Sequence, residues 1–109
     1  MLMPKDIAND VRAVLLNART GTGTQHHYLT AFQILARLPD DLRAQIIAER
    51  GFPGQGTGKH YNSASLVSDS AESIGGIEKT YMDTGGLEFY VDGKPIVAGY
   101  GVCGLYRLS

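Results

Sequence analysis

The chain has a single cysteine, Cys103, and no tryptophan. One thiol cannot close an intramolecular disulfide, so packing and hydrogen bonds must hold the fold, as suits a reducing compartment. No apolar run approaches the ~18 residues of a membrane span. Met1 to Asp6 is too short and too polar for the apolar core of a signal peptide. These absences set the expectation of a cytoplasmic protein with no membrane contact. An excess of one charge is missing too. Ten Lys and Arg face eleven Asp and Glu, a net charge of -1, so no global field draws a phosphate backbone. A basic patch on one face is still compatible with that balance.

Metal and catalytic signatures are equally sparse. His26, His27 and His60 are the three histidines. The first two are adjacent, so they point to different sides of a helix and are poorly placed to share one ion. No Cys-x-x-Cys pair supports them, and nothing in the spacing makes Cys103 and His60 a nucleophile and base. The expectation is a chain without cofactor or metal, and not an enzyme.

What the chain does have is glycine, fourteen of them in three clusters, and a change of hydrophobic period after Gly75-Gly76. Before that pair, apolar residues recur at helical spacing. After it, aromatic and β-branched residues alternate. At 109 residues with 43% hydrophobic content the chain is long enough for one domain, 1–109, with a core of its own. The order predicts an α+β fold: three to four N-terminal helices over about 4–75, then a small antiparallel β-meander over about 77–108.

In the helical half, Ile7, Val11, Val14, Leu15 and Ala18 share one face of a first helix. A linker follows, with Thr24 as N-cap of a second helix carrying Tyr28, Ala31, Phe32, Leu35 and Leu38. Pro39-Asp40-Asp41 opens a third, with Leu42, Ile46 and Ile47 as its core stripe and Gly51 as its stop. A fourth runs from Asn62 or Ser63 to Ile74, with Ala64, Val67, Ala71 and Ile74 apolar and the other face rich in serine. In the sheet half, Ile77 to Met82 reads as a strand, and Leu87, Phe89 and Val91 alternate with Glu88 and Tyr90. Asp92-Gly93 marks a type I′ hairpin turn.

The loop from Gly51 to His60 invites comparison with a phosphate-binding loop. That motif needs a preceding strand, a glycine where Pro53 stands and a Ser or Thr where His60 stands, so nucleotide hydrolysis is set aside. Glycine-rich amides beside Lys59 and His60 would still suit an anion, against the plainer reading of a simple connecting loop.

Two short helices at a corner, a loop, a serine-rich helix and a hairpin are similar in order to a winged helix-turn-helix. On that reading Arg43, Lys59, His60, Lys79 and Lys94 contact phosphates, and Asn62, Ser63 and Ser65 lie nearest to base edges. Two features oppose it: the long loop before the fourth helix, and a helix that carries Asp69 and Glu72 but no base. The other reading starts from the six tyrosines, four of them in the sheet half. Tyr81, Tyr90 and Tyr100 on a solvated sheet face would be contact residues for a partner protein, and self-association through that patch is compatible with it. Ordinary cross-strand packing is the alternative for all three.

Two stretches also carry a resemblance. One is Tyr28-Leu29-Thr30-Ala31-Phe32-Gln33-Ile34-Leu35, continuing through Leu42-Arg43 and Ile47 to Gly51. The other is Tyr81 to Leu87 with the ending Gly99 to Arg107. Together, over about two thirds of the chain, they resemble small accessory proteins of bacterial integrative and mobile elements. Neither stretch holds a motif of known chemistry, so no functional residues are carried over. The resemblance implies a setting in which small proteins regulate DNA or inhibit host defence complexes of the CRISPR kind. DNA or a host protein complex is therefore the expected partner.

Overall fold

The computed structural model describes residues 1–19, 26–53, 63–97 and 102–109. Its elements in chain order are α1 (Pro4–Asn17), β1 (Leu29–Thr30), α2 (Ala31–Arg37), α3 (Asp40–Arg50), α4 (Ser63–Glu72), β2 (Ile77–Asp83), β3 (Glu88–Val91), β4 (Lys94–Val97) and β5 (Val102–Leu108). The fold is α+β, with the helices leading and the sheet half following.

Local chemistry places each boundary. Pro4 stands in the first turn of α1, and the Asp6 carboxylate accepts from the Met3 amide at 2.8 Å. All five apolar positions read for this helix, Ile7, Val11, Val14, Leu15 and Ala18, are buried. The second helix starts later than its apolar spacing suggests. Thr30 and Gln33 form a reciprocal capping box: Thr30 Oγ1 accepts from Gln33 N, and Gln33 Oε1 accepts from Thr30 N at 2.9 Å. That cap excludes Tyr28 from the helix and frees Leu29–Thr30 to be a strand. Thr24 lies outside the described residues. Gly51 ends α3 at φ 88°, in the left-handed region where a side chain would be strained.

The serine-rich helix buries Val67 and Ala71 as its spacing predicts, but Leu66 and two serines complete the stripe in place of Ala64 and Ile74. Ser63, Leu66, Val67, Ser70 and Ala71 face the core, and the helix ends at Glu72 rather than Ile74. Ser63 and Ser70 are buried with the apolar residues, and α4 packs on α1 and α2. Ser63 is fully buried, so its hydroxyl does not reach a surface where a base edge could meet it.

The strands form two small sheets rather than one. β5 lies between β1 and β2, antiparallel to both, while among the described residues β3 and β4 pair only with each other. A strand between the first two helices that joins the last strand, with a hairpin inserted between β2 and β5, is a winged-helix-like order. The hairpin turn is of the expected type, with positive φ at Asp92 (53°) and Gly93 (76°). Its position is not that of a projecting wing. Phe89 stacks on Phe32 of α2 with ring centroids 5.4 Å apart, and Val91 and Ile96 are buried in the main core. Arg43 of α3 then donates to Asp92 at 2.6 Å and pins the turn. No described helix is long and apolar enough to cross a membrane.

Candidate functional site

Registry across β2 and β5 decides which side chains share a face. Opposed residues in an antiparallel pair lie on the same side, and so do residues two apart. Ile77, Lys79, Tyr81 and Asp83 therefore stand with Leu108, Tyr106, Gly104 and Val102. One end of this face is core: Tyr106 and Leu108 are buried. The other end is open, with Tyr81 66% and Val102 54% exposed.

Lys79 joins the two ends. Opposite Tyr81, Gly104 has no side chain. The lysine stem passes there, and a Cβ at Gly104 would lie 3.2 Å from Lys79 Cε and 3.0 Å from Tyr106 Oη. The ammonium stands 5.1 Å from the Tyr81 ring centroid and 5.6 Å from that of Tyr106, and donates to Glu72 of α4. The hydrogen bond it donates to Glu72 raises the Lys79 pKa above its ordinary value. Burial raises that of Tyr106, against a smaller opposing effect of its hydrogen bond to Ser68. Lys79 thus stays charged and Tyr106 neutral across the physiological range. Neither is moved towards pH 7, where proton transfer is most efficient.

The second exposed tyrosine belongs to the hairpin. β3 alternates cleanly, with Phe89 and Val91 inward and Glu88 and Tyr90 outward. Tyr90 is 60% exposed, and its hydroxyl donates to Glu88 at 3.2 Å. On the other face of β2 and β5, Arg107 pairs with Glu78 at 2.9 Å and lies 4.6 Å from the Tyr28 ring. Sequence reasoning gave Tyr106, Ser68, Gly104 and Arg107 no role. Their partners are set by strand registry, which no local pattern encodes.

Among the described residues, the cations read as phosphate contacts, Arg43, Lys79 and Lys94, are engaged within the chain. Arg43 donates to Asp40 and Asp92, each at 2.6 Å, and to the Leu38 carbonyl at 2.8 Å. These carboxylates raise its pKa further. Lys79 is held by Glu72, and Lys94 sits 5.2 Å from the Phe52 ring centroid. Ser65 is half-buried on α4. Along α4 the exposed residues are Asp69 and Glu72, both acids. Lys59, His60, Asn62 and Tyr100 lie outside the described residues.

Elsewhere, a cleft of about 380 Å³ is lined by Asp10, Ala13, Val14, Asn17, Arg37 and Pro39. Among the described residues no group of three or more His, Cys, Asp or Glu could hold a metal ion. No family model matches the chain, and no curated protein or solved structure is detectably similar to it.

Proposed function

We propose that this chain is a non-enzymatic binding protein that docks a partner protein through exposed tyrosines of its sheet half. It acts there as an adaptor or as an inhibitor of a host complex. Exposure carries this reading: Tyr81 and Tyr90 stand outward from ordered strands, each with most of its ring in solvent. Rigid aromatic side chains with a polar tip lose little conformational entropy on binding, which is why tyrosine recurs at interface hot spots. Carboxylates engage Arg43 and Lys79, so the surface offers aromatic contact more than net positive charge.

The winged-helix-like order favours a second reading, DNA association through Arg43, Lys59, Lys79 and Lys94. It asks α4 to approach phosphates with Asp69 and Glu72 foremost, and the hairpin to leave the core that holds Phe89. Both requirements cost free energy.

Tagged protein recovered from a bacterial lysate, with and without nuclease, separates the two. The first reading expects a stoichiometric protein that survives nuclease and is lost when Tyr81 and Tyr90 are both changed to alanine. Retained nucleic acid shed at moderate salt, with no protein sensitive to those changes, would transfer support to the second.

A further inference from the structure

β2 is the outer strand of its sheet. β5 pairs with one side of it, and among the described residues no strand pairs with the other. It runs from Ile77 to Asp83, longer than β1, β3 or β4. An open edge of this length is a template for another strand.

Its own side chains specify which strand. Antiparallel pairing of β2 with β2 of a second copy, about a two-fold axis perpendicular to the sheet, sets residues of like face opposite each other. Each register is then centred on one residue. Centring on Glu78, Lys79 or Asp83 sets a charge against itself. Centring on Thr80 leaves Asp83 opposite Ile77, and centring on Met82 leaves it opposite Tyr81. Centring on Tyr81 places Lys79 opposite Asp83 on both sides of the axis, Thr80 opposite Met82, and the two Tyr81 rings against each other. Opposite charges and aromatic pairs directly across antiparallel strands are stabilising. Asp83 uses Oδ1 for the Gly85 amide at 2.9 Å and keeps a second oxygen for a lysine.

We propose that two copies of this chain join β2 to β2, antiparallel and centred on Tyr81, so that their two three-stranded sheets become one. The overlap from Lys79 to Asp83 supplies about four to six new backbone hydrogen bonds. Lys79, whose stem leans over Gly104 of β5 and whose ammonium is held by Glu72 in one chain, swings towards the free edge to meet Asp83 of the second copy. The paired Tyr81 rings stay on the open face, so the dimer doubles the patch that the proposed function relies on.

Sedimentation of the purified chain tests the dimer: a species of twice 11.7 kDa forms with a micromolar Kd that weakens as salt rises. A single 11.7 kDa species up to about 300 μM overturns the proposal, since even weak interfaces associate at that concentration. Cysteine trapping in a Cys103→Ser background reads the register. Opposed Cα atoms lie about 4.5–5.5 Å apart, so Tyr81→Cys closes a disulfide between copies under mild oxidation. Thr80→Cys faces Met82 instead, with its own counterpart about 8 Å away, and cross-links at least about tenfold more slowly. Equal rates overturn the register. Asp83→Asn keeps the acceptor for Gly85 but removes both charge pairs, and raises Kd about three- to tenfold; an unchanged Kd contradicts the charge pairing. These tests use the purified chain alone, so dimerisation and partner binding can fail separately.

Discussion

A methyl group at Gly104 would stand 3.0 Å from Tyr106 Oη and 3.2 Å from Lys79 Cε. The lysine end can move, but the tyrosine is buried and hydrogen-bonded to Ser68. Gly104→Ala should therefore cost about 1 kcal/mol or more in urea unfolding, the usual scale for overpacking. It should also displace Lys79 from the Tyr81 ring. Tyr106 and Lys79 predict a pH dependence as well. Both have folded pKa values raised above their ordinary 10.0 and 10.5, so their contribution is complete below about pH 10 and is lost as pH rises beyond it. Denaturant melts between pH 9 and 11 should show falling stability, with a shallower fall for Tyr106→Phe, which cannot ionise. An equal slope in that variant would assign the effect to other groups. None of this was legible from residue types. Tyr106 read as one tyrosine among six and Lys79 as a phosphate contact, because their environment comes from α4 across the sheet rather than from sequence neighbours.

At the scale of elements, the hairpin is the part whose placement matters most. Its existence was plain in Asp92-Gly93 flanked by alternating residues, and the turn has the dihedrals such a pair permits. Its packing was not. The Phe32–Phe89 stack and burial of Val91 and Ile96 fold it onto α2, joining residues far apart in the chain. Phe89→Ala should cost about 3 kcal/mol, as for other buried aromatics. Hydrogen exchange should then show protection lost in both β3 and β4. The Arg43–Asp92 pair is a smaller fastener. A double-mutant cycle with Arg43→Met and Asp92→Asn should return a coupling of about 0.5–1 kcal/mol, since Asp92 is partly exposed and solvent screens the charge. The first helix was legible in full because its amphipathic stripe is unbroken. β1 was missed because a two-residue strand has no period, and only the Thr30–Gln33 cap betrays where α2 starts. In α4 the serines misled, since they read as the face opposite the apolar stripe although Ser63 and Ser70 are fully buried.

Over the whole molecule charge is nearly balanced, and Arg43, Lys79 and Arg107 are paired within the chain. Ten basic residues face eleven acidic ones, and the described ion pairs lie within α3 and join α3 to the hairpin, α4 to β2, and β2 to β5. The α+β order was readable from the change of period at Gly75-Gly76. The split into two sheets was not, because strand pairing over such separations depends on where the hairpin docks. The account rests on the claim that exposed tyrosines on the sheet half, rather than the cations read as phosphate contacts, engage the partner. The most direct measurement is quantitative recovery of partners from lysate by the native chain, by Tyr81→Ala/Tyr90→Ala and by Arg43→Met/Lys94→Met, all after nuclease treatment. The account predicts that the tyrosine variant loses at least about 90% of a stoichiometric protein partner, a hot-spot-sized effect, while the cation variant keeps it. Retention by the tyrosine variant with loss in the cation variant would contradict it.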